Sequence, residues 1–165
     1  MEQLFLNFKK RIEEHPNLVE AMCLSNKDGL IWKEQYLPRT VRNIYSHSKS
    51  FTSLMAGIAI DEEKLSLDTR LVDVFKEEIN EENYDRLYER TLKDLLSMSS
   101  GFDDDYLFGW QKAQGIGYPD YLKFMLSREL KQKPGTKFHY SNGDTYLVSR
   151  MIEKVYNKKF IQLCY

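Results

Sequence analysis

The 165 residues predict an α+β chain that is mostly helical and opens with one helix and a β-hairpin. Three observations carry this. Apolar residues fall at helical spacing over residues 2–14. Two short apolar runs flank the turn Asn26-Lys27-Asp28-Gly29. From Ser46 onward the dominant period is helical again. Hydrophobic residues make up 42% and aromatics 13%, enough for a folded core.

In order, Leu4, Phe5, Phe8 and Ile12 form one helical stripe, ended by Pro16. Leu18 to Ser25 and Leu30 to Tyr36 are the paired strands. Residues 37–45 connect. Phe51, Leu54, Met55 and Ile58 stand at i, i+3, i+4 and i+7, which predicts a helix buried on that face and ending near Asp61. Residues 61–94 are charge-rich and read as short solvated helices and loops. Leu92, Leu95, Leu96 and Met98 start a short helix stopped by Ser99-Ser100-Gly101. A loop with three acids and three glycines follows. Tyr121 to Leu130 is helical, and Lys133-Pro134-Gly135-Thr136 is a turn. Leu147, Val148, Met151, Ile152 and Val155 mark a last helix with Asn157 as its left-handed stop. This divides the chain into 1–45, helix and hairpin, and 46–165, a helical region. A lone hairpin is marginal in water, so it either lies on helices or belongs to a sheet whose other strands lie elsewhere.

Composition narrows function. Lys plus Arg total 24 and Asp plus Glu 25, a net charge of −1, which argues against nucleic-acid or anionic-membrane binding. No apolar run reaches the ~20 residues of a membrane span. The N-terminus lacks the apolar run of an export signal, so a cytoplasmic location is expected. Cys23 and Cys164 are no disulfide framework. The Cys, His and carboxylate residues show no metal-ligand spacing, and no cofactor is implied.

Two motifs carry chemistry. Ser46-His47-Ser48-Lys49 is S-x-x-K. At a helix start, residues i and i+3 share a face, so an ammonium can sit beside the hydroxyl and favour its ionised form. Twelve Ser and sixteen Lys yield about one such pair by chance, so Ser46 can equally be a helix cap and Lys49 a solvated residue. Tyr140-Ser141-Asn142, a Y-x-N, lies between the Pro-Gly turn and the last helix. Tyr140 can alternatively be a packed aromatic with a wet hydroxyl.

Order and flanking residues join the two. SHSKSFTSLMAGIAIDEEKLSLD, TLKDLLSMSSGF and KPGTKFHYSNGDTYLVSRMIEKVYNKKF resemble, in sequence order, segments of the serine β-lactamase, penicillin-binding protein and esterase superfamily, in its Y-x-N branch. The resemblance covers about residues 18–160 and implies a β-lactamase/transpeptidase-like fold whose central sheet is incomplete here. It implies a serine hydrolase acting on a small-molecule amide, β-lactam or ester. Ser46 would form an acyl-enzyme, Lys49 assist its deprotonation, and Tyr140 serve as base and then acid. A free Tyr titrates near pKa ~10, so Tyr140 needs a cation such as Lys49. Asn142 would orient substrate, and Tyr106 and Trp110 would line its cleft or pack the loop down.

Departures from the family set the alternative. Glu63, Ser149 and Asn157 stand where the family often has Gly. A left-handed Glu63 would be strained, so that turn is expected to differ. The family's third motif, K-T-G or H-x-G, is absent downstream of Tyr140. The chain is therefore either the hydrolase, with a second chain supplying strands, or a truncated, non-catalytic relative that binds without turnover.

Overall fold

The structure is a computed structural model that describes residues 2–15, 19–102, 107 and 120–164. Among the described residues it has eight α-helices and one two-stranded sheet. The chain divides into two compact units, residues 1–44 and 45–165.

The first unit holds helix α1 (Glu2–Glu14) and strands β1 (Ala21–Asn26) and β2 (Gly29–Gln35). The strands pair antiparallel, Ala21 opposite Gln35 and Cys23 opposite Lys33, with an irregularity between Leu24 and Ser25. Asn26 shapes the turn, its Oδ1 accepting from the Asp28 amide at 2.8 Å. Lys9 on α1 reaches Glu34 on β2 at 3.2 Å, and Arg42 pairs with Glu20 at 2.9 Å. Ile12 is buried while Phe8, on the same predicted stripe, is 55% exposed. Pro16 lies outside the described residues.

The second unit holds the core. After a 3-10 turn (Tyr45–His47) come α2 (Ser48–Asp61), α3 (Leu71–Val74), α4 (Glu81–Leu87), α5 (Leu92–Leu96), α6 (Tyr121–Leu126), α7 (Asn142–Tyr156) and α8 (Phe160–Leu163). Helix α7 is central and packs against α2, α3, α5, α6 and α8. Four of the five residues of its predicted stripe are buried, Leu147, Val148, Met151 and Ile152 being at most 1% exposed, while Val155 is half-buried. Each such side chain contributes roughly 1.5–3 kcal/mol on burial. Ser141 caps its start by accepting from the Asp144 amide, and Asn157, at φ 50°, ends it left-handed.

Three expectations are corrected. Helix α2 forms where the period places it, but Phe51, Leu54 and Ile58 are exposed, and Thr52, Ala56 and Ala59 are buried instead. Small residues let α2 approach its neighbours closely, and the apolar period cannot register them. Residues 61–94 are not simply a solvated surface, because Leu65, Leu71, Val72, Phe75, Leu87 and Leu92 are all buried. Their helices run four to seven residues, too short to display a period. Glu63 does take the left-handed conformation, at φ 57°. Lys64 and Leu65 both donate back to the Ala59 carbonyl, at 2.9 and 3.1 Å, and these bonds offset the strain.

Candidate active site

Ser46 sits in the 3-10 turn that feeds α2, and Lys49 is the second residue of that helix. Tyr45 just before it is left-handed, at φ 45°, and its carbonyl accepts from Ser48 Oγ at 2.7 Å. The turn thereby presents Ser46 at the surface. His47 faces elsewhere, edge-on to Phe51 with centroids 6.3 Å apart.

Tyr140 and Asn142 arrive on a different segment. Two backbone bonds dock that segment onto the turn after α5: Gly135 N to Ser99 O at 2.8 Å, and His139 N to Met98 O at 2.9 Å. Gly101, at φ 99°, permits the approach; a Cβ there would stand 2.3 Å from the Gln132 carbonyl oxygen. At Gly143 a Cβ would stand 2.3 Å from the Met125 methyl, so the α7 N-terminus rests directly on α6.

The two segments meet at Ser46 Oγ. Tyr140 Oη donates to it at 2.6 Å and Lys49 Nζ at 3.1 Å. Lys49 Nζ also donates to Asn142 Oδ1 at 2.7 Å and stands 5.0 Å from the Tyr140 ring centre. The bonds to Ser46 and Lys49 hold the Tyr140 phenol below its ordinary range, against a smaller opposing effect of burial. Once the phenol ionises, its hydrogen bond to Ser46 reverses and the phenolate can take the serine proton. Ser46, Lys49 and Asn142 border an open cleft of about 920 Å³, lined also by Phe51, Leu107, Thr145 and Tyr146. Two predicted cleft residues, Tyr106 and Trp110, lie outside the described residues, as do Asp103, Asp104 and Asp105.

The sequence profile of the family described as Beta-lactamase matches residues 23–165, most of the chain. The chain belongs to the β-lactamase family. It shares the β-lactamase/transpeptidase fold with solved structures. One is a putative β-lactamase from Bacteroides dorei, with TM-score 0.71, 22% identity, and coverage of 94% of this chain and 48% of that one. Another is a β-lactamase/D-alanine carboxypeptidase from Pseudomonas syringae, with TM-score 0.75, 15% identity, and coverage of 99% and 47%. A curated relative, the probable fimbrial assembly protein FimD, serogroup H1, of Dichelobacter nodosus, is 32% identical over 117 residues. The match covers 70% of this chain and 29% of that relative. The chain thus spans about half the length of those structures and under a third of the relative.

One group of this β-lactamase-family site escaped the sequence reading. Asp144, 1% exposed, lies behind the Tyr140–Asn142 turn and bonds with Ser100 and Ser141. Its signal was the S-x-x-D of Ser141 to Asp144, which reads as a helix cap and says nothing of Ser100. Among the described residues no helix is long and apolar enough to cross a membrane.

Proposed function

We propose that the chain carries the acylation chemistry of a serine hydrolase acting on a small-molecule ester, amide or β-lactam. The observation that carries this is the convergence of Tyr140 Oη and Lys49 Nζ on Ser46 Oγ, at 2.6 and 3.1 Å. The Lys49 ammonium favours the Tyr140 phenolate, which accepts the serine proton as Oγ attacks the carbonyl carbon. The carbonyl π pair moves to oxygen, and its return expels the leaving group, which takes the proton from Tyr140. Water then attacks the acyl-enzyme by the same steps and frees Ser46. The assignment of one base is a choice within a coupled Lys49–Tyr140 pair. Asn142, held by Lys49, presents its amide N–H₂ to the substrate.

The test is covalent. Exposure to a fluorophosphonate and to a fluorescent penicillin should add one adduct at Ser46, read by intact mass and peptide mapping, and Ser46→Ala should take none. A folded chain that takes no adduct defeats the proposal.

A further inference from the structure

The Asp144 carboxyl is buried among hydroxyls. Ser100 Oγ lies 2.8 Å from one carboxyl oxygen and 2.9 Å from the other. The hydroxyl can give its one proton to either oxygen, and when the carboxyl is the neutral acid its own O–H can donate back to Ser100 Oγ. Ser141 Oγ binds the same residue twice, accepting from the Asp144 amide at 2.9 Å and donating to its carboxyl at 3.2 Å. All three residues are 1% exposed.

Ser141 lies between Tyr140 and Asn142, and Ser100 belongs to the turn on which that segment docks. Arg90 fixes the turn from behind, donating to the carbonyls of Ser100 at 3.2 Å, Gln132 at 3.1 Å and Arg86 at 2.7 Å. Among the described residues, the elements packed on α7 bring no free cation to the carboxyl. On α2, Lys49 is committed to Ser46 and Asn142, and Asp61 is exposed. On α5, Lys93 is exposed and Asp94 acts on Asp144 by charge repulsion. Asp73 on α3 and Lys123 on α6 are exposed, and α8 has no titratable side chain. Arg150, Glu153 and Lys154 on α7 itself are two to three turns further along.

We propose that Asp144 is a positioning residue that acts as the neutral acid, clamping the Tyr140–Asn142 turn against Ser46 and Lys49 together with Ser100 and Ser141, and that its ionisation loosens that turn. As a role in catalysis this rests on the acylation reading above. Burial pushes the Asp144 carboxyl up to about 7, against the Ser100 and Ser141 bonds that pull it down. Because the folded value is raised, the clamp is strongest below the unfolded carboxyl range, near ~4, and weakens as pH rises toward about 7.

The experiment compares the chain with Asp144→Asn, whose amide imitates the neutral acid and cannot ionise. Two readouts are followed over about pH 5.5 to 8.5: labelling of Ser46 by a fluorophosphonate, and amide hydrogen exchange of residues 139–143. Across that range the unsubstituted chain should gain up to about 30-fold in exchange relative to Asp144→Asn, since the lower limit lies ~1.5 units below a carboxyl titrating at about 7, and the gain should level off above that pH. Its labelling should fall behind in step. A purely architectural role gives an offset constant with pH, and a flat exchange ratio overturns the proposal. If neither protein is labelled, the acylation reading fails while the exchange ratio still decides the role of Asp144. Should Asp144→Asn not fold, Ser100→Ala removes a bond that holds the carboxyl down, so the exchange midpoint should move to higher pH. An unmoved midpoint counts against the clamp.

Discussion

Residues 140 to 144 show two environments one residue apart. Tyr140 and Asn142 turn outward and meet Ser46 and Lys49. Ser141 and Asp144 turn inward and meet Ser100, all three buried. Outside, the bonds to Ser46 and then Lys49 hold the Tyr140 phenol below its ordinary range. Inside, burial governs, and the same kind of oxygen-rich cluster holds its proton more tightly. Position relative to solvent thus separates a group suited to moving protons from one suited to holding a shape.

This contrast predicts which substitutions move chemistry and which move stability. Lys49→Met should have the largest effect, slowing Ser46 labelling by about 10³-fold or more, with the melting temperature nearly unchanged. Tyr140→Phe keeps the ring and removes the proton carrier. Labelling should drop about 10²-fold, again with little change in melting; a large loss of stability would show that the outward face also supports the fold. Gly143→Ala crosses to the inward side. Its Cβ collides with Met125, so chemical denaturation should show a loss of about 1–3 kcal/mol. The smallest effect is expected at Gly57 inside α2, where an added Cβ meets nothing within 4 Å. Gly57→Ala should raise stability by up to about 1 kcal/mol and leave labelling unaltered.

The sequence made the outward half of this contrast readable and hid most of the inward half. S-x-x-K is a local statement: three residues on a helix fix which side chains share a face, and Lys49 does reach Ser46. The meeting of Ser46 with Tyr140 spans 94 residues and entered only through the family resemblance, because no local periodicity encodes it. Asp144 was invisible since a carboxylate at the third position of a helix ordinarily caps in water. For α2, an apolar stripe reports which residues are greasy but not which face finds a neighbour. Phe51, Leu54 and Ile58 advertised one side, while the buried side is built from Thr52, Ala56 and Ala59. The short helices between residues 71 and 96 bury Leu71, Phe75, Leu87 and Leu92 at irregular intervals, which a search for regular periods cannot detect.

The two buried alanines have a consequence beyond packing. Lys49, Thr52, Ala56 and Ala59 lie along one side of α2, and that helix packs on α7. Because small buried residues let α2 sit close to the core, their bulk is expected to affect the gap that Lys49 and Asn142 bridge at the start of the two helices. A methylene added at Ala56 would be felt two turns away as a longer reach for an ammonium. Enlarging or shaving that bulk offers a way to tune the site without altering any residue that touches Ser46.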